Sequence, residues 1–107
     1  MNRDTASLHD IRSAGNLILD FIENKTFSDF EEDAMLYSAV CRQLEIIGEA
    51  TKRLSKEIRE ANASIPWREM AGLRDIISHG YDIIDNREIW SICKTSLPEL
   101  LSDLEKI

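Results

Sequence analysis

The stretch Arg74-Asp75-Ile76-Ile77-Ser78-His79-Gly80-Tyr81 places a permanent cation, a ring that titrates near neutrality and a phenol within eight residues. On one α-helix, 3.6 residues per turn bring Arg74 and Tyr81 back to nearly the same face and set Asp75 one turn before His79. A carboxylate at that offset can accept a ring N–H, fix the tautomer and favour the protonated imidazole. The chemistry on offer is proton transfer beside anion binding, with Asp75 and Ser78 in support. An ordinary surface histidine and an arginine near a helix end fit the same spacing, so spacing alone leaves both readings open.

The element that must carry these residues starts after the polar linker Asn62 to Ile65, with Pro66 at its first position, where a missing N–H does no harm. Trp67, Met70, Ile77 and Tyr81 mark an approximate apolar stripe, and Arg74 falls on it where an aliphatic side chain is expected. A guanidinium on an apolar seam is unfavourable unless it is paired or faces a cleft, so Arg74 points to an ion pair or an anion site. Gly80 tolerates a left-handed cap and would stop the helix, leaving His79 in a last turn whose dipole favours the charged ring.

Three more helical segments surround it. Leu8, Ile11, Ala14, Leu17, Ile18, Phe21 and Ile22 recur at helical spacing from an opening near Asp4 or Thr5. Ser28 and Glu31 have the spacing of a capping box. They predict a long helix from about Asp29 to Ala61, on the order of 48 Å, whose stripe of Val40, Leu44, Ile47, Thr51, Leu54 and Ile58 is too long for one short neighbour to cover. A partner chain, or several helices laid end to end, would cover it. Gly48 sits mid-seam, where another backbone can approach or the helix can kink. Lys52, Lys56 and Arg59 form a basic line on another face, read either as solvated charges paired with Glu45, Glu49 and Glu60 or as an RNA track. Asp85 and Glu88 predict a cap for a last helix with Trp90, Cys93, Leu97, Leu100, Leu101 and Leu104 as its core face. Pro98 kinks that helix or restarts it, and the restart, with Ser96 and Glu99 as a capping box, is preferred.

Composition narrows the options. The 107 residues suit one domain, 1–107, with a single core. At 43 % hydrophobic and 31 % charged, with four glycines and two prolines, the chain reads as an all-α, antiparallel four- to five-helix bundle with one long helix. It shows no bilayer-spanning run and no basic-then-apolar secretion signal near Met1, which predicts a cytoplasmic protein without a membrane partner. Cys41 and Cys93 lack metal-ligand spacing and read as buried free thiols. The formal charge of −7 argues against a protein that coats itself with nucleic acid, so an RNA role must rest on a local patch.

Taken in order, Ile47-Gly48-Glu49-Ala50-Thr51-Lys52-Arg53-Leu54-Ser55, Ile65-Pro66-Trp67-Arg68-Glu69-Met70-Ala71-Gly72-Leu73-Arg74-Asp75 and His79-Gly80-Tyr81 resemble the HepT-like branch of the HEPN helical domains. The defining pattern is an arginine, four residues, a histidine, one residue and a tyrosine, matched here by Arg74, His79 and Tyr81. The similarity continues into Ile89-Trp90 and Leu97-Pro98-Glu99-Leu100.

The resemblance implies the toxin half of a type VII toxin–antitoxin pair, a homodimer in which two copies of Arg74 and His79 share one cleft. It implies an endoribonuclease that needs no metal or cofactor: a 2′-hydroxyl attacks its own phosphate, His79 moves protons and Arg74 holds the gathering charge. It further implies a minimal nucleotidyltransferase antitoxin as partner, transferring AMP from ATP to Tyr81 and so filling the anion site. Asp75 orients His79 in this picture. Two other classes stay in play, a non-catalytic helical subunit of a nucleotidyltransferase complex and a structural bundle in which Arg74 and Asp75 form ion pairs.

Overall fold

In a computed structural model, the structure describes residues 2–79 and 85–107, with backbone alone at Ser78 and His79. Helix α1 (Arg3–Ile22) is opened by Asn2, whose side-chain oxygen accepts the Thr5 N–H at 2.8 Å. Leu8, Ile11, Ala14, Ile18 and Ile22 are buried as their spacing predicts, but Leu17 is 42 % exposed because it sits at the edge of the stripe. The helix ends before Asn24, whose φ of 62° lies in the left-handed region that asparagine tolerates.

The next helix, α2 (Phe27–Glu32), is capped two residues earlier than expected. Thr26 Oγ1 accepts the Asp29 N–H at 3.1 Å and the Asp29 carboxylate accepts the Thr26 N–H at 2.9 Å, so the box is Thr26 with Asp29 rather than Ser28 with Glu31. Asp33 then leaves helical geometry and caps α3 (Ala34–Lys52), accepting the N–H groups of Met35 and Leu36. A second break follows at Arg53 to Ser55, and α4 (Lys56–Ala61) begins. The single helix expected from Asp29 to Ala61 is therefore three helices.

The second break has a remote cause. The Asp4 carboxylate, at the start of α1, accepts both the Ser55 N–H at 2.8 Å and the Ser55 hydroxyl at 2.6 Å. Ser55 itself caps α4 through the Ile58 N–H. Those bonds hold the chain out of helix where α3 would otherwise run on.

Helix α3 lies between α1 on one side and α5 (Trp67–His79) on the other. Its stripe of Val40, Leu44, Ile47 and Thr51 is covered by these helices of the same chain, and Thr51 meets burial by donating its hydroxyl to the Ile47 carbonyl at 2.7 Å. The last rod packs against α1 and α2 and joins α6 (Asn86–Ser91) to α7 (Leu97–Leu104) through one π-helical turn, Ile92–Ser96. Asp85 opens α6 as expected, but it does so by accepting the Arg87 N–H at 2.8 Å, and no Glu88 side-chain bond completes the pair among the described residues. The preferred restart at Pro98 does not occur. Ser96 stays helical without a side-chain cap, and the Leu97 N–H reaches back five residues to Ile92, a wide turn that carries the rod past the proline.

Phe30, Trp90, Phe27 and Tyr37 pack as one aromatic group between α2, α3 and α6. Cys41 and Cys93 are buried free thiols, and burial pushes Cys93 up to about 12. Among the described residues there is no strand, and the architecture is an all-α, HEPN-like bundle. No described helix is long and apolar enough to cross a membrane.

Candidate functional site

The start of α5 is fixed by its own sequence. Pro66 stands just before the first helical residue and its carbonyl accepts the Met70 N–H, while the Trp67 indole N–H donates to the Asn62 carbonyl at 3.1 Å. Trp67 and Met70 are buried, which sets the rotation of α5 and turns Arg74 toward α3.

There the two helices meet backbone to backbone. A Cβ placed on Gly48 would lie 2.6 Å from the Arg74 backbone nitrogen and 2.9 Å from the Arg74 Cβ. Gly48 is thus the point of close approach that the sequence suggested, and Arg74 is what approaches it. The next residue along α3, Glu49, accepts the Arg74 Nε–H at 2.8 Å. Arg74 and Glu49 keep 39 % and 38 % of their side-chain surface exposed, so the pair is not sealed from solvent. The shared hydrogen bond, with the opposite charge behind it, lowers the Glu49 carboxyl pKa and raises that of Arg74.

One turn further on, Lys52 Nζ lies 3.1 Å from Asp75 Oδ1. Neighbouring residues of α5 are therefore matched to residues one turn apart on α3, with opposite polarity in the two pairs. The sequence reading gave Asp75 to His79; among the described residues its ion-pair partner is Lys52. One of the two readings of the basic line pairs Lys52, Lys56 and Arg59 with Glu45, Glu49 and Glu60. Of those pairings only Lys56 with Glu60, at 3.6 Å, is present among the described residues. Arg59 donates to the Ser55 carbonyl at 3.4 Å. Because α3 stops at Lys52, the basic line is split between two helices and is no continuous track.

His79 closes α5, and its side chain, that of Ser78, and the whole of Gly80 and Tyr81 lie outside the described residues. The helical register still carries information. Five positions separate Arg74 from His79, about 140° around a regular helix, so position 79 shares its side of α5 with Gly72 and Ile76. Ile76 is 49 % exposed, and a Cβ on Gly72 would meet nothing within 4 Å.

A cavity of about 630 Å³ opens between α5, α3 and the last rod, lined mainly by Leu44, Ile47, Met70, Leu73, Ile76 and Leu97. Arg74 does not line it; the wall is mostly apolar, with Arg68, Glu69 and Glu88 as its charged members. Among the described residues no three His, Cys, Asp or Glu side chains gather as a metal-binding group. Lys52 is among the possible RNA contacts named from the sequence and Glu49 among the partners of the basic line, but the pairing of Glu49 with Arg74 and of Lys52 with Asp75 was missed. Gly48 beside an acid was the available signal, but it did not say which helix would land there.

The family described as Ribonuclease HepT-like matches residues 11–107. A protein of Thermococcus cleftensis named "Probable ribonuclease HepT" is 41 % identical over 100 residues, covering 94 % of this chain and 91 % of its own. A protein of Methanocaldococcus jannaschii named "Putative RNase MJ1380" is 37 % identical over 100 residues, covering 94 % and 92 %. No solved structure matches the chain. The shared span takes in both helices that meet at Gly48 and Arg74, and over that span this chain belongs to the HepT-like ribonuclease family.

Proposed function

We propose that the chain is the ribonuclease toxin of a toxin–antitoxin pair, cleaving RNA without a metal through Arg74 and His79. In the reaction the 2′-hydroxyl oxygen bonds to the adjacent phosphorus and the P–O5′ bond breaks. His79 takes the hydroxyl proton and, as imidazolium, gives a proton to the departing O5′, while Arg74 holds the charge that builds on the phosphoryl oxygens. The observation that carries the reading is the Arg74 side chain, partly open to solvent and fixed at a helix crossing in a chain of this family.

The register of α5 supports a homodimer as the working unit. Positions 74 and 79 diverge around one helix, whereas two copies meeting along Gly72, Ile76 and His79 would bring an arginine and a histidine to one cleft. Lys52 lessens the repulsion that Asp75 offers a phosphate, and Lys56 and Arg59 are assigned to the flanking RNA backbone. Tyr81 is assigned as the switch. A nucleotidyltransferase antitoxin would join its phenol oxygen to the α-phosphorus of ATP, release pyrophosphate, and leave an adenylate to occupy the anion site.

The test is cleavage of single-stranded RNA by the unmodified protein and by Arg74→Ala and His79→Ala, with intact mass after incubation with the nucleotidyltransferase and ATP. Both substitutions should abolish cleavage, and a mass gain in AMP steps should disappear in Tyr81→Phe. Equal cleavage by wild type and His79→Ala overturns the assignment.

A second reading draws on the same ion pairs. Arg74 and Asp75 are both matched to α3, as in a purely structural bundle. In that case Arg74→Ala lowers Tm and leaves every activity unchanged.

A further inference from the structure

We propose that Glu49 is the positioning residue of the Arg74 guanidinium, holding it by Nε–H so that the edge formed by Nη1 and Nη2 is the one presented to a phosphodiester. The substrate in this statement rests on the ribonuclease reading; the clamp itself rests on the helix crossing.

Three features build the clamp. Gly48 brings the Arg74 backbone and Cβ onto α3, which fixes where the side chain starts. Glu49, the next residue, then stands within 2.8 Å of Nε, which fixes how the planar group is turned. Lys52 occupies Asp75, so the neighbouring carboxylate is matched to another cation instead of pulling the guanidinium away from Glu49.

The chemistry of the guanidinium gives this geometry its consequence. A guanidinium can grip an oxyanion by two parallel N–H bonds, either side-on through Nε and one Nη or end-on through the two Nη groups. With Nε committed to Glu49, the end-on fork is left for the substrate. A fork already aimed loses less freedom when charge develops on phosphorus, and that is the condition for stabilising the transition state more than the bound RNA. The same clamp explains an acid beside an anion site. Glu49 weakens ground-state attraction for the phosphate while it fixes the group that serves the reaction.

The experiment compares wild type, Glu49→Ala and Glu49→Gln as full-length proteins. Single-turnover RNA cleavage is read alongside binding of the same oligonucleotide with a 2′-deoxy residue at the scissile position. Glu49→Ala should slow cleavage by about 10- to 100-fold, with binding of the uncleavable RNA equal or tighter. Glu49→Gln, whose amide oxygen still accepts the Nε–H, should recover most of the rate.

A second readout does not depend on cleavage. The Arg74 Nε–H resonance, assigned by its loss in Arg74→Ala, should exchange slowly with water in wild type and Glu49→Gln and quickly in Glu49→Ala. Wild-type cleavage by Glu49→Ala overturns the proposal. So do losses in both variants that follow Tm alone, or an Nε–H that exchanges equally fast in all three. A wild type that cleaves no RNA overturns the ribonuclease reading instead, and the exchange measurement then decides the clamp by itself.

Discussion

At the scale of single residues, buried thiols and paired carboxylates behave in opposite ways. Burial raises the pKa of Cys93 to about 12 and also raises that of Cys41, so neither presents a thiolate near neutrality. Native protein treated with iodoacetamide at pH 8 should therefore stay unmodified at Cys93 on the timescale in which the urea-unfolded chain is fully alkylated, as read by peptide mass. Asp4, Asp29 and Glu49 are instead held below their ordinary values of 3.8, 3.8 and 4.5, chiefly by hydrogen bonds to Ser55, Thr26 and Arg74. Their folded-state pKa values are the lower ones, so their contribution to stability is complete above the ordinary values and is lost as pH falls through the depressed ones. The denaturation midpoint should drop on acidification from about pH 5 to 3, and Asp4→Asn with Glu49→Gln should flatten that drop. Arg74 was legible from the sequence as a charge on an apolar stripe. Its partner was not, because Glu49 lies 25 residues away on another helix and periodicity carries no information about which helices will cross.

At the scale of elements, the two glycines at crossings differ in what surrounds them. A methyl on Gly48 meets the Arg74 backbone, which cannot move without parting α3 from α5, whereas a methyl on Gly15 meets the Leu101 side chain at 2.7 Å, which can turn away. Gly48→Ala should destabilise by about 1–3 kcal/mol, the usual range for overpacking. Gly15→Ala should lose less, with the better helix propensity of alanine offsetting part of the clash. Urea denaturation of the two variants checks the order. The amphipathic stripes of α1 and α3 could be read from sequence because each faces one core at a 3.6-residue period. The ends could not be read so well. Nothing at Arg53 to Ser55 announces a stop, since no glycine or proline stands there and the bonds that end α3 come from Asp4. Pro98 misled for the opposite reason: it suggested a break, and a π turn just before it kept the rod continuous.

At the scale of the whole molecule, the charge of −7 and the dimeric reading of the site make separate demands. A protein that meets RNA through a few cations should show a shallow salt dependence. For about three neutralised phosphates, at Arg74, Lys56 and Arg59, the slope of log binding constant against log salt is about −2.1, and a much steeper slope would mean a basic track that the split between α3 and α4 does not provide. If each Arg74–His79 pair in the shared cleft takes its arginine from one subunit and its histidine from the other, Arg74→Ala and His79→Ala are inactive alone and complement each other when mixed. Random exchange makes half the dimers mixed, each with one intact site, so about a quarter of wild-type cleavage should return. No recovery after demonstrated exchange would place both residues of a site in the same chain.

The clasp between Asp4 and Ser55 also matters to anyone who modifies the amino end. Shortening the protein past Asp4, or fusing a bulky tag hard against it, would free Ser55 to continue α3 into α4 and would swing the segment after Lys52 onto a new path. Damage done at the first residues would then surface at Lys52, the lysine that shields Asp75, the residue next to the arginine on which the proposed chemistry depends.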